Sequence, residues 1–134
     1  MNNRTILLVE DDENDVYFMR RAFKAAGLTN PLQVVSNGEV AINYLKGLDE
    51  FSDRTLYPLP QFIFLDLKMP VMGGFDVLQW IKNNSAIQIP VSVLSSSPED
   101  QDMRRARELG AACYLIKPPT PEMLRACWRQ FELS

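Results

Sequence analysis

The chain contains no histidine. That absence removes every His-based triad and the commonest general base, so any chemistry falls to carboxylates, hydroxyls and lysine. Cysteine is scarce as well. Cys113 and Cys127 are the only 2, they form no Cys-x-x-Cys pair and have no histidine to join in a zinc site, and they read as small buried hydrophobes. No apolar run approaches the ~20 residues of a membrane span, and the polar start Met1-Asn2-Asn3-Arg4 is no signal peptide. The expectation is a cytoplasmic protein with no membrane partner. Positive charge is not in excess: the net charge is −3 and there is no basic patch, which argues against a nucleic-acid partner. Gly-x-Gly-x-x-Gly and P-loop motifs are missing, so nothing supports nucleotide binding. Asp11 to Asp15 resemble a calcium loop, yet Val16 stands where that loop needs glycine and no glutamate closes it.

What is present is an ordinary globular composition, 46% apolar and 23% charged over 134 residues, enough for a single domain with a sizeable core. Phe62-Ile63-Phe64-Leu65 is apolar on both faces of the pleat, as a strand covered on both sides of a parallel sheet requires, and it ends at Asp66. Such an acid either caps the turn before Pro70 or needs a cation or hydrogen-bonding partner, because an unpaired buried carboxylate costs several kcal/mol. Thr5-Ile6-Leu7-Leu8-Val9 repeats the pattern and ends in Glu10-Asp11-Asp12.

Three more strands are expected, at Leu32-Gln33-Val34-Val35, at Ile89-Pro90-Val91-Ser92-Val93-Leu94 before Ser95-Ser96-Ser97, and at Ala112-Cys113-Tyr114-Leu115-Ile116 before Lys117-Pro118. Helical spacing of apolar residues fills the intervals. Val16, Met19, Ala22, Phe23 and Ala26 mark a first helix, Val40, Ala41, Tyr44 and Leu45 a second, and Phe75, Val77, Leu78 and Ile81 a third that opens at Gly73-Gly74. A fourth runs to about residue 109, with Pro98 in its first turn and Glu99 and Asp100 at its N-terminus. The fifth starts at Thr120-Pro121 and carries Leu124, Cys127, Trp128 and Phe131. Trp128 fits either the core or an exposed surface. Residues 47–60 lose the pattern and read as a long loop.

Five strands alternating with five helices imply an α/β, doubly wound parallel sheet, most often in the flavodoxin-like order 2-1-3-4-5. On that sheet Glu10, Asp11, Asp66, Ser95 and Lys117 emerge along one carboxyl edge, where such folds bind ligands. Two carboxylates ~4 Å apart repel by about 4 kcal/mol at an effective dielectric of 20, so the cluster calls for a divalent metal. All-oxygen ligands favour Mg2+.

These residues, in this order, closely resemble the receiver domain of a two-component response regulator. The motifs are Val9-Glu10-Asp11-Asp12, Leu65-Asp66-Leu67-Lys68-Met69-Pro70, Leu94-Ser95-Ser96 and Lys117-Pro118, and the resemblance covers essentially residues 1–134, with no output domain. It implies that Asp66 accepts a phosphoryl group from a phosphohistidine on a sensor histidine kinase or histidine phosphotransfer protein. Glu10, Asp11, Asp66 and the backbone carbonyl of Lys68 would hold Mg2+, or Mn2+ in its place. It further implies that Lys117 and Ser95 contact the phosphoryl group, that Ser95 and Tyr114 form the switch, and that Lys68 and Ser97 tune the phosphoryl lifetime. Tyr114 also fits a plain half-buried strand tyrosine. Output would pass to a downstream protein target, or into a homodimer, through the face of helix 4, strand 5 and helix 5. The 49–60 loop and Ala41-Ile42-Asn43-Tyr44-Leu45 are similar to stand-alone regulators that partner phytochrome-type kinases. Two departures stand out: Gly73, where many members carry Asp, and Ser95, where Thr is commoner. The competing classes are a haloacid-dehalogenase-like phosphatase, which wants a second acid where Lys68 stands, and a non-phosphorylated pseudo-receiver scaffold.

Overall fold

All five residues of β3 (Phe62–Asp66) are buried, which explains why its apolar residues do not alternate with polar ones. In the computed structural model, which describes residues 4–132 with side chains to residue 130, β3 is the central strand. β1 (Ile6–Val9) and β4 (Val91–Ser95) flank it, and β2 (Leu32–Val35) and β5 (Cys113–Ile116) form the edges. Every pairing is parallel and the order is 2-1-3-4-5, the doubly wound sheet expected from the alternation. The register sets Val9 beside Leu65, Asp66 beside Leu94, and Ser95 beside Ile116. The residues at and just past these strand ends therefore share one edge.

The period-2 alternation of side chains divides the strands between two cores. On one face Ile6, Leu8, Phe62 and Phe64 pack with Met19 and Phe23 of α1 (Glu13–Ala25) and Leu124 of α5 (Pro121–Glu132). Leu7, Val9, Ile63, Leu65 and Val93 pack on the other, against residues of α2 (Gly38–Lys46), α3 (Gly74–Asn83) and α4 (Asp100–Glu108). Trp128 belongs to the first core, with its ring 6.0 Å from that of Phe62. Phe131 of the same helical stripe lies outside the residues whose side chains are described. The cysteines depart from expectation. Cys127 is buried, but Cys113 on the edge strand is only half-buried, and its sulfur meets that of Cys127.

Helix starts follow local chemistry. Asp12 caps α1 by accepting from the Asn14 and Asp15 amides, Asn37 caps α2 through the Val40 amide, and Thr120 caps α5 through the Met123 amide. α3 begins at Gly73 without a side-chain cap, the consequence of having no Asp there. Pro98 lies outside α4, not in its first turn: Glu99 is the extended N-cap residue and the helix starts at Asp100. β4 starts at Val91 rather than Ile89, because Pro90 has no amide to give the ladder and serves it only through its carbonyl, which accepts from Ile63 at 3.1 Å.

The 47–60 segment is not the plain loop its sequence suggests. Gly47, in the left-handed conformation at φ 71°, ends α2, and one 3-10 turn, Asp49–Ser52, follows. Phe51 and Tyr57 fold back onto Tyr44, with ring centroids 5.0 and 6.0 Å from it, and the Tyr44 hydroxyl donates to the Pro58 carbonyl at 2.8 Å. Arg54 fastens the segment by donating to the Tyr44, Leu45 and Tyr57 carbonyls at 2.9, 3.0 and 3.1 Å. A guanidinium on the last carbonyls of α2 satisfies orphan acceptors and opposes the negative end of the helix dipole. Replacing Arg54 with Ala should lower stability by about 2 kcal/mol, the scale of charge-assisted hydrogen bonds. Urea denaturation of the two proteins checks this, and the far-UV spectrum should be unchanged.

Candidate functional site

A single ammonium gathers the carboxyl edge of the sheet. Lys117 Nζ, just past β5, lies 2.6 Å from Glu10 Oε1, 2.8 Å from Asp15 Oδ2 and 3.3 Å from Asp66 Oδ1. Glu10 and Asp66 are 3% and 5% exposed, so these acids are withdrawn from water and held by their partners. Asp11 is exposed at the mouth. One carboxylate oxygen from each of Glu10, Asp11 and Asp66 falls within 4.8 Å of the others, an all-oxygen donor set that fits a hard divalent cation. Asp12, the other acid of that run, is spent on capping α1.

The remaining expected site residues take separate places. Lys68 has an exposed side chain, and what it turns toward Asp66 is its backbone amide, 3.5 Å from Oδ1. Ser95 is fully buried at the tip of β4, and its Oγ accepts from the Ser97 amide at 3.0 Å. Ser97 is buried too, and its Oγ accepts from the Glu99 amide at 3.3 Å. Tyr114 is half-buried on the α4 side of β5, and its hydroxyl donates to the Ser97 carbonyl at 2.9 Å. Ser97 thus connects Ser95 with Tyr114.

Asp15 is the residue that sequence reasoning missed. Its only signal was an acid in the first turn of α1, a position ordinarily explained by the helix dipole. Backbone packing also positions Asp66. Gly74 donates to the Leu67 carbonyl at 3.0 Å, and a Cβ on Gly74 would collide with the Asp66 carbonyl and stand 2.8 Å from Leu67 Cα. Only glycine lets α3 seat this close to the strand end.

The charges are balanced unevenly. Burial pushes Glu10 from 4.5 up to about 7, with the Asp66 charge adding to the effect and Lys117 opposing it. For Lys117 burial works against the ammonium, but hydrogen bonds to Asp15 and Glu10 and the Asp66 charge outweigh it and raise its pKa.

The model for the response regulator receiver domain matches residues 6–129, which span the whole sheet and this edge. The chain belongs to the response regulator receiver domain family. Among relatives of this receiver domain, the probable methanogenesis regulatory protein FilR2 of Methanothrix harundinacea is 39% identical, over 90% of this chain and 76% of its own. The response regulator Rcp1 of Synechocystis is 34% identical, over 85% of this chain and 76% of its own. A solved manganese-bound form of a response regulator Rcp1 superposes with a TM-score of 0.82 at 30% identity, covering 98% of this chain and 96% of that one. A phosphorylated cyanobacterial phytochrome response regulator, RcpA, gives a TM-score of 0.85 at 26% identity, covering 98% and 95%. No helix among the described residues is long and apolar enough to cross a membrane.

The Glu10 shift sets a pH dependence whose sign is opposite to that of a salt-bridged acid. A carboxyl whose folded pKa is raised to about 7 from 4.5 is protonated in the fold before it is in the unfolded chain, so its contribution to stability is full below about pH 4.5 and is lost as pH rises through 7. A divalent cation needs the carboxylate, so its affinity should rise over the same window. Manganese titrations by calorimetry at about pH 6 and about pH 8 should give tighter binding at the higher pH, and Glu10→Gln should flatten the difference.

Proposed function

We propose that Asp66 accepts a phosphoryl group from a phosphohistidine of a sensor histidine kinase or histidine phosphotransfer protein. The observation that carries this reading is the Lys117 ammonium 3.3 Å from Asp66 Oδ1, in a pocket whose other charged groups are the acids Glu10, Asp11 and Asp15. An isolated structural ion pair would need one acid, not four. In the transfer, an Asp66 oxygen attacks phosphorus, the new P–O bond forms as the P–N bond breaks, and the departing imidazole takes up a proton. Lys117 offsets the charge on the phosphoryl oxygens throughout, and its raised pKa keeps it cationic at neutral pH. Glu10, Asp11, Asp66 and the Lys68 backbone carbonyl would hold Mg2+, which supplies further charge neutralisation when bound. The manganese-bound Rcp1 structure supports divalent-cation binding, and the phosphorylated RcpA structure supports phosphorylation.

Ser95 then donates its hydroxyl to the bound phosphoryl group and Tyr114 follows the rearranged β4–α4 loop. Lys68 and Ser97, two residues after Asp66 and Ser95, tune how long the phosphoryl group survives. The altered surface of α4, β5 and α5 signals to a downstream protein or pairs with a second copy. The similarity to a phytochrome response regulator makes a phytochrome-type kinase the favoured donor. A phosphatase reading loses its general acid, since Lys68 occupies that place and its side chain is exposed.

Incubation with Mg2+ and acetyl phosphate should give one covalent phosphoryl adduct by intact mass. Asp66→Asn should abolish it, and Lys117→Ala should slow its formation by roughly tenfold or more. An adduct that survives in Asp66→Asn would sink the assignment. Rapid turnover of unrelated phosphate esters would favour the phosphatase, and absence of both adduct and turnover would favour the scaffold.

A further inference from the structure

Away from the acidic edge, at the far side of the α1–α5 core, the protein's two sulfurs are in contact. Cys127 Sγ donates to Cys113 Sγ at 3.2 Å across 14 residues of sequence, from the middle of α5 to the first residue of β5. The two are unlike in access. Cys127 is 4% exposed, whereas Cys113 is half-buried on an edge strand and its sulfur also meets the Oε1 of exposed Gln130 at 3.9 Å. Ser92, the register partner of Cys113 on β4, adds a fully buried hydroxyl that bears on the Cys127 thiol. A buried hydroxyl beside two thiols is a polar spot within an apolar layer.

We propose that Cys113 and Cys127 form a dithiol modification site, at which a hydroperoxide closes an intramolecular disulfide between β5 and α5. A disulfide needs its sulfurs about 2 Å apart, so closure asks for a movement of about 1 Å, within the reach of side-chain rotation. Cys113, the accessible partner, attacks. Its thiolate forms an S–O bond with the peroxide as the O–O bond breaks, releasing hydroxide, or an alcohol after protonation, and leaving a sulfenic acid. Cys127 then attacks that sulfur: the S–S bond forms, the S–O bond breaks, and the Cys127 proton leaves with the hydroxyl as water. Two thiols are oxidised by two electrons and one peroxide is reduced. The division of roles follows from access, and the hydrogen bond from Cys127 also draws the Cys113 thiol below its ordinary range against the effect of burial. The bond would tie the strand that carries Tyr114 to the helix that carries Trp128. It uses none of the groups at the acidic edge.

Treating the reduced protein with hydrogen peroxide, then denaturing it and alkylating, separates the outcomes. Both cysteines should escape alkylation in a monomer, and dithiothreitol should restore both. Cys127→Ser should stop at a sulfenic acid on Cys113 that dimedone traps, and Cys113→Ser should consume peroxide roughly tenfold more slowly while Cys127 stays alkylatable. Asp66→Asn should oxidise as the parent does, which keeps this result independent of the phosphoryl-acceptor reading. Two alkylatable thiols after treatment, or thiol loss only through disulfide-linked dimers, would overturn the proposal.

Discussion

The constraint behind this architecture is the burial of two carboxylates at the ends of central strands. Glu10 and Asp66 sit where the parallel sheet stops and its helices have not yet closed over it, and both are removed from water. One ammonium, Lys117, faces them and also Asp15, while Asp11 adds a further acid at the mouth. Four carboxylates against one ammonium leave an excess of negative charge that the fold does not neutralise by itself. Glu10 expresses the strain, since it holds a proton up to about pH 7. On the proposed reading this excess is what draws a cation to the edge and, through the cation, a phosphoryl oxygen.

The rest of the chain holds that edge still. β3 carries no polar residue before Asp66, so its register is fixed by apolar packing on both faces and the acid has no freedom to slip. Gly74 brings α3 against the backbone of Asp66 and Leu67, and the Gly38 amide donates to the Met72 carbonyl at 3.1 Å, fastening the far end of the same loop to α2. Arg54 in turn secures the end of α2.

The strands, the helices and the acids at the edge were legible in the sequence because each rests on a short-range pattern, namely runs of apolar residues for buried strands, spacings of three and four for helices, and acids at strand ends, while the sheet order followed from the commonest arrangement of five alternating units. What was illegible depends on distant pairings. Nothing local marks Asp15 as the partner of a lysine 102 residues away. The 47–60 segment has no periodicity because its order comes from one arginine reaching three carbonyls and from two rings packing against Tyr44, one tilted and one edge-on. Cys113 and Cys127 follow no spacing motif, since a strand and the helix after it, not a turn, bring them together. Trp128 could be placed only once the face of α5 was known.

The β4–α4 loop shows how a change at the acidic edge would reach the far surface on the proposed reading. Among the described residues, Ser95 and Tyr114 are joined through Ser97. Ser97 donates to the first and accepts from the second: its amide donates to Ser95 Oγ and its carbonyl accepts from the Tyr114 hydroxyl. A phosphoryl oxygen that draws on Ser95 would accept the hydrogen bond of a hydroxyl whose lone pair is already engaged by the Ser97 amide. The two demands are compatible, because a serine hydroxyl can donate and accept at once. Motion of Ser95 therefore need not break the link and can carry the Ser97 peptide with it. Moving that peptide displaces the acceptor of the tyrosine hydroxyl, so Tyr114 must either follow or give up a half-buried hydrogen bond worth about 1 kcal/mol. A cost of that size is well below the differential binding of about 5.5 kcal/mol needed to turn a 1:99 population into 99:1. On the proposed reading, therefore, the tyrosine reports the state of the edge, and the larger share of the switching energy comes from the charges around Asp66.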